Sequence, residues 1–334
     1  MSVTETLAMP GGPTDTERQL MADGRLGHLL TLRDLDQAQI TEILDRAEQL
    51  LRPPEQPAAR SAALRGLTVG NLFFEPSTRT RSSFELAAKR LGADVLNLDL
   101  RTSSQQKGES ILDTVATLQA MQVDIFIVRD ATVGVPALIA SYVNDHVAVL
   151  NAGEANVSHP TQGLLDLLTM RRHKGDLAKL KVAIVGDIAH SRVARSAAEG
   201  LRAVGCVDLR LVSPKALRPD TEHFPDAVLT DNLDDGIRDA DVVMALRIQH
   251  ERIDSLTEIP DSSQYFAGYG LSRARMQLAA PDAIVMHPGP MNRGVEIEPE
   301  LADGPASVIV EQVRNGVAIR MAVLEAIVNN RKTL

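Results

Sequence analysis

Residues 67–74, LTVGNLFF, run straight into residues 75–86, EPSTRTRSSFEL. The first segment is short and almost continuously apolar, as expected of a strand covered on both faces of a parallel sheet. The second opens on a proline and then places five hydroxyls and two arginines within residues 77–83. Its later apolar residues recur at helical spacing, which predicts a helix over residues 82–91. The segment is therefore a strand, a turn and a helix, with hydroxyls and arginines at the strand's carboxyl end. Ser77 or Thr78 can cap that helix, whose first N–H groups lack intrahelical partners and carry the positive end of its dipole.

The plainer alternative is a Ser/Thr cap followed by two solvated arginines, and short motifs of this kind misfire often. Here the hydroxyl density exceeds what one cap needs. Hydroxyls, free amides and Arg79 together suit a phosphate-sized dianion. No GxxxxGK[ST] pattern occurs, so this is not a Walker A loop.

The same alternation extends along the chain. Candidate strands at residues 68–74, 95–98, 124–129 and 147–151 are separated by helical patterns at 82–91, 109–121 and 135–143. After a helical run at 161–173, a second series follows, with strands at 181–185, 208–212, 241–246 and 283–286. Residues 305–328 read as one long apolar-faced helix. Before the first strand, Asp36 and Gln39 form a capping-box pattern ahead of an apolar face of Ile40, Ile43, Leu44, Ala47, Leu50 and Leu51. The expected fold is α/β, with two doubly wound parallel-sheet domains carrying helices on both faces and joined by interdomain helices. In such folds ligands bind at the carboxyl ends of strands.

Composition narrows the function classes. The chain has 334 residues, enough for about two domains, and 44% of them are hydrophobic. A net charge of -9 without a lysine-rich tract argues against a nucleic-acid partner. No run approaches the ~18 apolar residues of a membrane span. The N-terminus lacks an apolar signal core, and Cys206 is the only cysteine, which excludes an internal disulfide or a thiolate zinc cluster. A cytoplasmic globular protein without a metal is the expectation. Residues 1–27, rich in Gly, Pro, Thr and Asp, read as a flexible extension.

The run Pro76-Ser77-Thr78-Arg79-Thr80-Arg81 resembles the carbamoyl-phosphate signature of the aspartate/ornithine carbamoyltransferase family. The likeness extends from about residue 28 to about residue 329. It implies a carbamoyl-phosphate-binding domain at 28–158, an aspartate-binding domain at 159–304, and a C-terminal helix, 305–334, packing back on the first domain. Further motifs carry the resemblance. The loop Thr102-Ser103-Ser104-Gln105-Gln106-Lys107-Gly108 is, as a bare segment, a solvated loop; the resemblance implies that Ser103 and Lys107 reach a neighbouring subunit's site. Arg129 ends the apolar run DIFIVR. His159 and Gln162, within SHPTQ, are implied to meet the carbamoyl carbonyl oxygen and amino group, although a lone histidine before proline is more often a turn residue. Thr80, Arg129 and His159 would then polarise one carbonyl.

In the second half, VGDIAHSR superficially resembles a dinucleotide turn but lacks GxGxxG, so a nicotinamide enzyme is a weak rival. The resemblance assigns Arg192 to one carboxylate of aspartate, and Arg247 and Gln249 of LRIQ to the other; a guanidinium fork suits carboxylates. In HPGP, the Pro288 and Gly289 carbonyls are implied to accept from substrate N–H groups, with glycine standing where many relatives carry leucine.

The implied reaction moves the carbamoyl group of carbamoyl phosphate to L-aspartate, giving N-carbamoyl-L-aspartate and phosphate in de novo pyrimidine biosynthesis, without a cofactor. Arg79, Thr80, Lys107, Arg129 and His159 would be catalytic. Ser77, Thr78, Ser103, Gln162, Pro288 and Gly289 would complete the carbamoyl-phosphate site, with Lys107 also serving aspartate. Shared sites imply a homotrimer. For the extension, the alternatives are an inert tail or docking to a dihydroorotase-like or regulatory chain. Two rivals remain in view: an ornithine-using transferase, and a non-catalytic assembly subunit of carbamoyltransferase type.

Overall fold

In the computed structural model, residues 19–98, 110–253 and 259–332 are described. The first long element begins where the capping signal places it. Helix α1 (Gln37–Leu50) starts after Asp36, whose Oδ1 accepts from Gln39 N at 2.8 Å while Gln39 Oε1 accepts from Asp36 N at 3.0 Å. Its buried face is Ile40, Ile43, Leu44, Ala47 and Leu50.

The chain folds as two units. One comprises residues 1–34, 57–160 and 320–334, and the other 35–56 and 161–319. The first contains β1 (Thr68–Phe73), α2 (Thr78–Arg90), β2 (Asp94–Leu98), α3 (Ile111–Ala120), β3 (Ile125–Asp130), α4 (Val135–Tyr142) and β4 (Ala148–Glu154). Its four strands are parallel in the order β2-β1-β3-β4. Leu72, Val115, Phe126, Val128, Ile139 and Val149 form the buried core on one side.

The chain leaves this unit through α5 (Pro160–Lys174). The second unit holds β5 (Lys181–Val185), α6 (Arg192–Ala203), β6 (Asp208–Val212), β7 (Val228–Thr230), α7 (Leu233–Ile237), β8 (Val242–Ala245), α8 (Ser262–Tyr269), β9 (Ile284–Met286) and α9 (Pro299–Ala302). Its sheet is parallel in the order β7-β6-β5-β8-β9, over a core that includes Val185, Val212, Ile237, Val243 and Val285. Helix α10 (Ile309–Lys332) returns the chain to the first unit. Among the described residues no helix is long and apolar enough to cross a membrane.

Three expectations change. Helix α2 begins at Thr78 rather than at residue 82, so the hydroxyls and Arg79 form its first turn. Strand β7 was not anticipated, because three residues at a sheet edge are too few to display alternation. The segment expected to be mobile through Gly27 is packed from Gln19 onward. Gln19 is fully buried; its Oε1 accepts from Leu30 N at 2.7 Å and Thr31 N at 3.0 Å, and its carbonyl accepts from Gly27 N and His28 N. One buried glutamine thus satisfies four backbone donors, which no apolar periodicity reveals. Residues 1–18 lie outside the described residues.

Candidate functional site

Each sheet reverses its winding once, and such switch points leave a crevice outside the strands' carboxyl ends. In the first unit the reversal lies between β1 and β3. Phe73 of β1 stands opposite Arg129 of β3, and Phe74 N donates to Arg129 O at 2.9 Å. The segment 75–80 leaves β1 at this point. Ser77 is the extended N-cap residue of α2, with φ -161°, yet its side chain makes no capping bond. Thr78 and Arg79 are exposed, and Ser77 and Thr80 half-buried. The first turn of α2 is thus exposed at Thr78 and Arg79, and the Ser77 hydroxyl does not close on the helix itself.

Arg129 is buried, with Nη2 paired to Glu75 Oε1 at 2.6 Å and Nη1 donating to Ala152 O at 3.2 Å. The structure thus brings Glu75 and Arg129 together at the switch point. His159 is buried immediately before α5. Ser103 and Lys107, predicted to join this site, lie outside the described residues.

In the second unit the reversal lies between β5 and β8. Gly186 follows β5 with φ 136°, and a Cβ there would collide with the carbonyl oxygen of Leu246 at the end of β8. The glycine of VGD is thus required by close backbone approach, not by a dinucleotide. Asp187 is fully buried and braces both loops. Its Oδ1 accepts from His190 Nδ1 at 2.8 Å and its Oδ2 from Gln249 N at 3.0 Å. Gln249 Nε2 then donates to His190 O at 2.9 Å. Arg192, buried, is the first residue of α6, where Ser191 Oγ accepts from Ala194 N. Arg247 is half-buried and bidentate to Glu251. That hydrogen-bonded pairing raises the guanidinium pKa and lowers that of the Glu251 carboxyl.

The loop after β9 is fixed through His287, buried beside Glu296. Gly289 N donates to His287 Nδ1 at 2.8 Å, so that nitrogen carries a lone pair and Nε2 carries the proton, given to Glu296 Oε1 at 3.0 Å. Gly289 has φ 70°, in the left-handed region that glycine enters without cost. Gln162, on the first turn of α5, donates to Asp166.

Sequence reasoning passed over Glu75, Asp187, Glu251, Glu296 and Asp166. For Asp166 and Glu251 a signal existed: each lies four residues from a predicted site residue, on the same helical or helix-like face. For Glu296 and Glu75 the partner lies across a loop or a sheet, and spacing says nothing.

Two family models match. The description "aspartate/ornithine carbamoyltransferase, carbamoyl-P binding domain" fits residues 27–172, and "aspartate/ornithine carbamoyltransferase, Asp/Orn binding domain" fits residues 178–327. This chain belongs to the aspartate/ornithine carbamoyltransferase family. Among solved carbamoyltransferase structures, the catalytic subunit of M. jannaschii aspartate transcarbamoylase is 33% identical, with a TM-score of 0.80 over 92% of this chain and 100% of that one. Trypanosoma cruzi aspartate transcarbamoylase, in complex with aspartate and phosphate, is 28% identical, with a TM-score of 0.79 over 90% of this chain and 94% of that one. Thermus thermophilus ornithine carbamoyltransferase is 26% identical, with a TM-score of 0.79 over 90% of this chain and 99% of that one. The two parallel sheets are those of the carbamoyltransferase fold, and the chain is a carbamoyltransferase-family enzyme.

Proposed function

We propose that this chain transfers the carbamoyl group of carbamoyl phosphate to the amino group of L-aspartate, the committed carbamoylation of de novo pyrimidine synthesis. The observation that carries the choice of acceptor is Arg247, at the switch point of the second sheet. Its guanidinium is paired with Glu251 in bidentate fashion, the fork geometry that an acceptor carboxylate takes over by displacing Glu251. Released from Glu251, that guanidinium favours an acidic acceptor over the cationic side chain of ornithine. Arg192, at the neighbouring switch-point loop, supplies the charge for aspartate's second carboxylate.

In the first unit, the exposed first turn of α2 supports phosphate binding by Ser77, Thr78, Arg79 and Thr80. Arg129, with Thr80 and His159, draws electron density toward the carbamoyl oxygen as the neutral amine attacks. The C–N bond forms as the C–O bond to phosphate breaks, and the departing phosphate can accept the amine's proton. Catalysis is positioning plus electrostatic stabilisation. Gln249 and the Pro288 and Gly289 carbonyls complete the polar lining, and Lys107 and Ser103 act from a neighbouring subunit of a cytoplasmic homotrimer.

The deciding experiment is a carbamoylation assay with aspartate and ornithine side by side. Aspartate turnover inhibited by succinate, with ornithine inert, is expected; comparable ornithine turnover would transfer the chain to the other branch of the family. Mixing inactive Lys107→Ala and Arg79→Ala chains tests the trimer, since mixed assemblies should regain part of the activity.

A further inference from the structure

Gln162 is held in a chain of amides that the proposed reaction does not itself require. Gln162 Nε2 donates to Asp166 Oδ1 at 3.0 Å, and the same oxygen accepts from Gln312 Nε2 at 2.9 Å. Gln312 in turn accepts the backbone N–H of His287 through Oε1 at 2.9 Å. Asp166 is fully buried and Gln312 is 2% exposed, whereas Gln162, at 9%, reaches the edge of the buried interior. An oxygen that meets two N–H groups acts as acceptor to both. Asp166 Oδ1 takes the Nε2 end of each glutamine, and it sets the sense of both carboxamides. For Gln312 that sense is fixed a second time by His287 N. For the Gln162 side chain the Asp166 bond is the one hydrogen bond among the described residues, and it leaves Oε1 as the end offered to a ligand.

We infer that Asp166, locked by Gln312, is a positioning residue that presents the Gln162 carbonyl oxygen to the acyl group and so selects an acyl phosphate bearing an N–H donor over one bearing a methyl. The inference rests on the reading above, in which Gln162 meets the carbamoyl amino group. An amide oxygen facing an NH2 gains a hydrogen bond, whereas facing a methyl it is stripped of water without a partner. Sites built to hydrogen-bond a ligand discriminate strongly against analogues that lack the group.

The test uses the full chain and two ligands, carbamoyl phosphate and acetyl phosphate, with binding followed by calorimetry. Asp166→Leu removes the acceptor oxygen that both carboxamide nitrogens share. Gln312 is anchored by His287, so Gln162 is the side chain that loses its orientation. The dissociation constant for carbamoyl phosphate should rise about tenfold, and that for acetyl phosphate should change less than about threefold. The conservative Asp166→Asn can keep its Oδ1 on both donors and should hold carbamoyl-phosphate affinity to within about threefold of the parent. Equal weakening of both ligands in Asp166→Leu, an equal loss in Asp166→Asn, or unaltered carbamoyl-phosphate binding in Asp166→Leu would overturn the relay. Should Asp166→Leu fail to fold, Gln162→Met carries the comparison. Loss confined to carbamoyl phosphate supports the inference, and equal or absent loss overturns it. A parent protein that binds no carbamoyl phosphate would instead overturn the functional reading and the relay with it.

Discussion

Glu75 and Arg129 form a 2.6 Å ion pair at the point where the first sheet reverses its winding. Arg129 is 9% exposed in its side chain and Glu75 22%. Removing the cation leaves a poorly solvated carboxylate. Arg129→Met should therefore destabilise the fold by about 2 kcal/mol, less than the ~3–5 kcal/mol of a wholly enclosed pair, because water reaches Glu75. Urea denaturation checks this, and unchanged stability would mean the pair is not maintained in solution.

Arg79→Ala should behave in the opposite way. The side chain is exposed on the first turn of α2, so stability should change by less than about 0.5 kcal/mol. Turnover should fall at least about tenfold to a hundredfold, since each charge-assisted bond to phosphate contributes ~1.5–3 kcal/mol. Steady-state kinetics beside a thermal melt separate the two effects, and near-normal turnover would remove Arg79 from the phosphate site.

Gly186→Ala is expected to cost more than about 3 kcal/mol, because the added carbon meets the Leu246 carbonyl and φ 136° strains any side chain. The damage should spread to Asp187 and Gln249, so aspartate affinity should weaken in whatever protein remains folded. A melting temperature equal to the parent's would refute the close approach of the two loops.

His28 carries a pH dependence. Burial first, and the Arg331 charge second, hold its imidazole down to about 4, below the ordinary 6.5. Val149 N donates to its Nδ1 at 3.0 Å, and Arg331 Nη2 lies 3.2 Å from Nε2. The neutral ring is the folded form, so between pH 6.5 and 4 the unfolded chain binds the extra proton. Its contribution is complete above pH 6.5 and is lost as the pH falls toward 4, at most about 3 kcal/mol and less to the extent that water reaches the half-buried ring. His28→Asn, whose Oδ1 can accept from Val149 N, should flatten this part of the stability profile; a parallel profile would show that another group titrates.

Much of the candidate site was legible because its residues are local. Strand period, proline, hydroxyl run and helix period follow one another between residues 67 and 91, and the reaction of a helix N-terminus with an anion needs nothing farther away. The capping box of Asp36 and Gln39 is likewise a matter of three residues. Tertiary structure decided the rest. Strand order determines which carboxyl ends become switch points, and that order depends on pairings between segments tens of residues apart. Gln312 meets Asp166 across 146 positions, and Arg129 meets Glu75 across 54. Gln19 is buried in a segment whose composition suggests none of it, because its partners are backbone amides. A buried polar group is stabilised by the donors and acceptors folding brings to it, so sequence names the group while only the fold supplies its partner.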